Sequence, residues 1–355
     1  MSAVSGRQWI TLGGPFVVAA VTGVLNYTDA HGVLVFVAGG LALAGLAWTI
    51  GVATEAVGTQ FGPAATGFLQ STLANLPELF IVIFALRAGE VVVAQTTILG
   101  SIFANALLVL GLAIVAGAWV APDGVMRFHR GLPNDTAVLL MLAVFIIVLL
   151  GLSDTVGDAA SEHQVTISAV GALLLLSVYG VWLTGYLRPQ ASVEPAHVEQ
   201  ARPELPLKPA VVLLAGSAVA AAFVSEWFVH AIEPTVESVG ISRPFIGLVI
   251  VAIAGNAVEN VVGIMLAAKG QSDLAISVIK NSVAQIAVFL FPVLVLVSLL
   301  LENRVTFVLE PVYIGALVLM ALAIWQVTYD GEAAAYEGWS LVALFLILAT
   351  LVFFE

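Results

Sequence analysis

The sequence predicts an all-α integral membrane protein of about eleven transmembrane helices, an extra first helix plus two inverted five-helix repeats. Three observations predict it. Hydrophobic residues fill 61% of the 355 positions and charged residues only 10%, with a mean hydropathy of +1.10; soluble domains are roughly half apolar and a quarter charged. Apolar runs of roughly 20 residues, each long enough to cross a bilayer, recur along the chain. One polar pattern, Asn-x-x-Glu, appears once in each half inside such a run, at Asn75/Glu78 and Asn256/Glu259.

The spans run near 10–27, 33–53, 64–87, 91–119, 136–153, 163–186, 209–230, 243–268, 274–301, 306–327 and 338–354. Between the sixth and seventh lies a stretch carrying Pro189, Pro195, Pro203, Pro206 and Pro209 among Glu and Arg. Proline there cannot donate a helical hydrogen bond and the charges oppose burial, so the stretch is an exposed connector. The chain divides into the N-terminus and extra first helix (1–32), a first repeat (33–186), a Pro-rich linker (187–208) and a second repeat (209–355). Five spans is an odd number, so the two repeats enter the membrane with opposite orientation, as in many secondary transporters.

Loop charge sets the expected orientation. Arg7, Arg127, Arg130, Arg188, Arg202, Lys208 and Lys269 fall on the N-terminal side, and only Arg87, Arg243 and Arg304 on the other. The N-terminus and linker are therefore expected in the cytoplasm of a prokaryotic cell, with the chain a multi-pass protein of its plasma membrane. No basic stretch followed by a short apolar core and a small-residue cleavage site opens the sequence, so an uncleaved N-terminus is expected. The acids Asp154, Asp158 and Glu162, and Glu233 and Glu237, read as solvated loop surface on the outer side. A net charge of −12 opposes nucleic-acid binding. The absence of cysteine excludes disulfides and thiolate chemistry. There is no phosphate-binding glycine loop and no His-Glu-x-x-His, so neither a nucleotide, a cofactor nor an enzyme is expected.

On a helix, residues i and i+3 share a face, so each Asn-x-x-Glu projects an amide oxygen and a carboxylate the same way. Acids inside a span face a bundle interior or a wet cavity. Glu78 and Glu259 balance one divalent ion, and a hard cation such as Ca²⁺ takes six to eight oxygens. Neutral oxygens come from Asn75 and Asn256, and from the next span of each half: Ser101 and Asn105 in one, Ser282 and Gln285 in the other. Pro77 beside Glu78 and Gly255 beside Asn256 loosen the helices there, which is tolerated where backbone lines a cavity. Ahead of each acidic helix stands a further acid, Glu55 and Glu226, placed to line the access path. Lys280, inside a span two residues before Ser282, is a candidate for coupling as an internal counter-cation, or a lysine that snorkels to an interface.

These residues carry a resemblance. The chain resembles the calcium/proton exchanger family of the calcium:cation antiporter superfamily over roughly residues 33–355. The family's Gly-Asn-Ala-x-Glu motifs match Ala74–Glu78 and Gly255–Glu259. Its Gly-Ser motif matches Gly100-Ser101, its Gln-Ile-Ala-x-Phe-x-x-Pro matches Gln285–Pro292, and its C-terminal Asp-Gly…Glu-Gly matches Asp330-Gly331 and Glu337-Gly338. The chain departs from the pattern at Ala74, Pro77, Ala252, Asn260 and Lys280-Asn281. The resemblance implies eleven spans with two five-helix repeats, and a transporter exchanging Ca²⁺ for H⁺. The expected mechanism is alternating access, with cation and protons competing for Glu78 and Glu259. A Na⁺/H⁺ exchanger of the same fold is the alternative, favoured by Lys280 and Asn260. The expected partners are inorganic cations, protons and the lipid bilayer; the oligomeric state is left open.

Overall fold

The computed structural model describes residues 6–28, 30–58, 72–73, 75–129, 131–186 and 205–355. In order these form α1 (Gly6–Tyr27), α2 (Gly32–Gly58), α3 (Leu76–Arg87), α4 (Val91–Val120), α5 (Gly131–Val156), α6 (Gln164–Tyr186) and α7 (Leu207–His230). There follow α8 (Ile232–Val239), α9 (Arg243–Gly255), α10 (Ala257–Ala268), α11 (Ser272–Ser298), α12 (Pro311–Thr328) and α13 (Ala335–Phe353). In a bilayer the backbone must bond internally, and long apolar segments do so as helices. Among the described residues eight helices are long and apolar enough to cross a membrane, and α9 with α10 makes a ninth span bent by 58°. α1 contributes a shorter apolar helix, Thr11–Tyr27. The third expected span is described as a continuous helix only from Leu76, with a helical pair at 72–73 before it, and most of the linker lies outside the described residues. The expected count of eleven therefore stays an expectation, while the helical, multi-pass membrane architecture is observed.

Two helices form the core. In α4, 89% of the membrane-crossing window is buried and in α11 72%, against 28% for the span Ala159–Gly185, which includes α6, and 22% for the span that begins with α7. α4 is surrounded by α3, α9, α10 and α13, whereas α11 is held by α5, α6 and α10. α1, α5, α7 and α12 turn large apolar side chains such as Val17, Phe145, Val212 and Leu319 outward, as lipid-facing helices do. α4 and α11 share a local irregularity: each contains a π-helical segment, Ala104–Val109 and Ile286–Leu290, and α9 carries a third at Ile246–Val251. Such segments insert one residue into the helical register and are common at functional sites.

The loop contacts sort into two ends. At one end Arg243 pairs with Glu90 at 3.3 Å and with Glu233, and Asn303 Nδ2 donates to the Leu86 carbonyl at 2.8 Å. At the other, a three-residue ribbon departs from the all-helical expectation: β1 (Val125–Arg127) pairs antiparallel with β2 (Glu332–Ala334), Met126 opposite Ala333. The C-terminal acidic motif is used up in this ribbon. Asp330 Oδ1 accepts from the Glu332 N–H at 3.2 Å, Gly331 turns the chain with φ +78°, and Glu337 caps α13 by accepting from the Ala334 N–H at 2.8 Å. Two of the expected loop acids are engaged locally: Asp158 accepts from the Ala160 N–H at 2.6 Å and Asp154 from Gln164.

α4 and α9 approach so closely that only glycine fits at two points. A Cβ on Gly247 would stand 2.9 Å from the Val93 carbonyl oxygen and 3.0 Å from the Thr97 nitrogen; one on Gly100 would strike the Leu248 backbone. Small residues at crossings let membrane helices pack by backbone contact. Gly247→Val should therefore lower stability by at least about 1–3 kcal/mol, the usual penalty of overpacking. A thermal melt of the detergent-solubilised protein checks it; a midpoint equal to wild type would mean that the two helices do not cross this closely.

Candidate functional site

The two Asn-x-x-Glu motifs occupy the same local structure. Asn75 sits at the N-cap of α3 and Asn256 at the N-cap of α10, each just outside helical geometry (φ −82°, ψ 1° and φ −96°, ψ 14°). The glutamates follow in the third helical position of α3 and α10. A helix that starts inside the membrane leaves its first N–H groups unpaired and carries a positive dipole end, which favours an anionic side chain there. In the second half the last turn of α9 is closed by the break itself: the Asn256 N–H donates to the Ala252 carbonyl at 3.2 Å, and Asn260 Nδ2 reaches the Ile253 carbonyl at 3.5 Å.

Glu78 is buried, with 1% of its surface exposed. Its Oε1 accepts from Ser101 Oγ of α4 and from Asn256 Nδ2 at the α9–α10 break. Asn256 Nδ2 also lies 2.9 Å from Ser101 Oγ and 3.0 Å from the Ala252 carbonyl. Asn105, in the π-helical segment of α4, donates to Asn256 Oδ1 at 3.2 Å and to the Ser101 carbonyl at 3.0 Å. Glu78, Ser101, Asn105 and Asn256 thus form one buried network that joins residues 178 positions apart in sequence. Charge-assisted bonds of this kind are the strong ones.

The remaining expected ligands are placed as follows. Asn75, Ser282 and Gln285 are buried. Gln285 is the last residue before the π-helical segment of α11, as Asn105 is the second residue within that of α4. Among the described residues, Asn105 Oδ1, Gln285 Oε1 and Asn260 Oδ1 are buried acceptors without a donor. Orphaned buried oxygens are uncommon and call for an explanation such as an ion. The side chains of Glu259 and Glu55 lie outside the described residues. Glu226 is half-buried on α7, where its backbone carbonyl bonds His230 Nδ1 at 2.8 Å.

Lys280 does not join the network. Its Nζ donates to Thr328 Oγ1 of α12 at 2.9 Å. At about 100° per residue, Lys280 is roughly 160° around α11 from Ser282 and about 140° from Gln285. Sequence reasoning also missed how tightly Gly255 is placed. A Cβ there would meet Glu78 Cγ at 2.8 Å and Oε1 at 3.1 Å, so the glycine makes the room in which the carboxylate sits. Its position directly before Asn256 was the available signal.

The sodium/calcium exchanger protein family model matches residues 31–187 and 209–354. A Ca²⁺/H⁺ antiporter of Bacillus subtilis is 30% identical over 309 residues, 86% of this chain and 87% of its own. The vacuolar calcium ion transporter of Schizosaccharomyces pombe is 31% identical over 334 residues, 90% of this chain and 79% of its own. Of solved structures, native YfkE aligns with a TM-score of 0.80 at 26% identity, covering 96% of this chain and 100% of that one. The H⁺/Ca²⁺ exchanger CAX shares the fold, with a TM-score of 0.77 at 16% identity over 97% and 89% of the two chains. The helix breaks, the buried acid and these matches define a membrane ion exchanger. The chain belongs to the sodium/calcium exchanger family, in its calcium/proton exchanger branch.

If Glu78 depends on its neighbours as drawn, Ser101→Ala should cost about 1–3 kcal/mol by leaving a buried carboxylate short of a donor. In a double-mutant cycle with Glu78→Gln the two effects should be coupled by more than about 0.5 kcal/mol. Thermal stability of the four proteins gives the answer, and strict additivity would mean that the contact is not made.

Proposed function

We propose that this chain exchanges Ca²⁺ for H⁺ across the membrane by alternating access, cation and protons competing for Glu78 and Glu259. The observation that carries the reading is Glu78 itself: a buried acid in the first turn of α3, held by side chains from α4 and from the α9–α10 break. Two carboxylates balance one Ca²⁺, and the hard ion needs neutral oxygens besides. Asn105 and Gln285 offer such oxygens without donors of their own, and Asn75, Ser101, Asn256 and Ser282 complete the proposed set. In the arrangement described, hydrogen-bond donors occupy Glu78 Oε1. For a cation to replace them, the Asn256 amide turns its oxygen toward the ion and Ser101 turns its O–H away, since both groups carry donor and acceptor. Protonating the acids removes the charge that holds the cation, and this mutual exclusion is sufficient for antiport.

The remaining features fit the same scheme. Residues 33–186 and 209–355 act as inverted repeats joined by the 187–208 linker, with α1 set apart. The lysine and arginine bias puts the N-terminus in the cytoplasm, and the bacterial relative suggests a prokaryotic plasma membrane. Glu55 and Glu226 line the approach. Ca²⁺ is preferred to Na⁺ because Lys280 faces away from Ser282 and Gln285, so its charge does not oppose a divalent ion there.

Two outcomes are expected in sealed vesicles with an imposed pH gradient, scanned with Ca²⁺, Na⁺, K⁺ and Mn²⁺. Glu78→Gln and Glu259→Gln each abolish Ca²⁺ uptake while the protein still inserts and folds; transport at the wild-type rate in either variant would remove that residue from the site. Glu55→Gln and Glu226→Gln raise the half-saturating Ca²⁺ concentration a few-fold at low salt with the maximal rate kept, the signature of lost steering. Loss of all transport in either would place that acid against the ion. Gradient-driven Na⁺ movement without Ca²⁺ movement would favour the Na⁺/H⁺ alternative.

A further inference from the structure

Lys280 leads to a second site. Between α4, α5, α11 and α12 lies a cavity of about 540 Å³ whose lining is almost wholly apolar, with Leu110, Leu140 and Val283 among its walls. That volume and lining are those of small-molecule sites, which run to roughly 300–1,000 Å³. Its rim, Val138, Met141, Leu322 and Trp325, is exposed on the lipid-facing surface, so the cavity opens sideways into the bilayer. Lys280 also lines it and is 5% exposed. An ammonium has three donors; Thr328 Oγ1 takes one, and among the described residues no carboxylate lies within ion-pair distance. A buried charge left without a counter-charge is strongly unfavourable.

We propose that the groove holds one acyl chain of an anionic phospholipid, with phosphate oxygens of the headgroup accepting from Lys280. The depth is right for a headgroup. Lys280 stands eight residues, about 12 Å, from the start of α11, and its stem reaches Thr328, the last residue of α12. Trp325 and Tyr329, exposed and with ring centroids 6.1 Å apart, mark that end as the interfacial aromatic belt. Asp273 lies about 10 Å nearer the start of α11, a Debye length away, where its repulsion is screened. It already accepts from the His129 N–H at 2.6 Å. Charge complementarity thus selects an anionic lipid over a zwitterionic one, and the apolar walls select a lipid over a free anion. The occupant rests on Ala106, within the π-helical segment that carries Asn105, so it bears on backbone belonging to the Glu78 network.

Native mass spectrometry of the full chain in detergent, titrated with phosphatidylglycerol or phosphatidylcholine, tests this without measuring transport, so it stands apart from the exchange reading. Wild type should bind one phosphatidylglycerol about ten-fold more tightly than phosphatidylcholine, whose trimethylammonium competes with Lys280 for the phosphate and cancels the net charge that would attract it. Lys280→Met should erase the preference, Lys280→Arg should keep it, and Leu110→Trp should weaken both lipids by filling the groove. Inorganic phosphate should displace neither. Equal affinity of wild type for the two lipids would overturn the proposal even if Lys280→Met does not fold. So would a preference undiminished in Lys280→Met, or displacement by inorganic phosphate.

Discussion

A carboxylate inside a membrane protein cannot be left to itself, and much of this architecture follows from housing Glu78. Desolvation costs several kcal/mol for an ion without partners. The chain meets that cost with three arrangements that must hold together. α3 begins at Asn75, so its positive end faces the acid. Ser101 reaches in from α4, and Asn256 from the break between α9 and α10. For Ser101 and Asn256 to meet one oxygen, α4 and α9 must come within backbone contact, which explains the glycines at 100 and 247. The carboxylate also needs Gly255 to be bare. One buried acid therefore constrains four helices and three glycines.

The same network shows where the molecule can give. Asn105 lies in a π-helical segment, Gln285 directly precedes one, and a third runs into the α9–α10 break. A π-helical segment holds a residue out of the regular ladder, and moving that irregularity by one position turns a side chain without unfolding the helix. Under the proposed exchange, rotation of Asn105 would break its bond to Asn256 Oδ1 and free that oxygen for a cation. The surroundings are otherwise close-packed, and packed cores switch between discrete arrangements rather than deforming smoothly. Compliance sits beside the acid and rigidity around it.

The buried network at the candidate site was legible from the sequence to the extent that its members are polar residues in apolar runs. Glu78, Ser101, Asn105 and Asn256 stand out there because an intramembrane acid or amide is costly without a purpose. What stayed hidden has identifiable causes. In a helix apolar on every side, such as the second half of α4, no hydrophobic periodicity exists for a π-helical segment to disturb. The three-residue ribbon is too short for alternation to register. The close approach of α4 and α9 depends on tertiary packing, and glycine is frequent in membrane helices for several reasons. The multi-pass helical fold was visible in composition together with the recurring apolar runs. The direction of Lys280 was also hidden, because nearness along the chain to Ser282 concealed that two residues on a helix are about 200° apart and that its Nζ turns to Thr328.

That last point bears on how the halves divide the work. In the first half Gly100 precedes Ser101 and lets α4 lie against the Leu248 backbone. The corresponding position before Ser282 is Asn281, whose Nδ2 turns back to Ser277 Oγ at 3.5 Å on its own helix. An asparagine does not permit the same backbone contact, so α11 cannot reproduce the tight crossing that α4 makes. α11 is instead wedged against α5 and α12 through a lysine and an apolar groove, where α4 is clamped by glycine. Two halves built on one pattern thus hold their central helices by different forces, backbone contact in one and side-chain filling in the other. A contact between backbones is fixed by the chain itself, whereas a groove is as firm as whatever fills it. The groove is walled by α4 and α5 of the first half as well as by α11 and α12 of the second, so under the proposed lipid binding it is this seam between the halves whose packing responds to the bilayer.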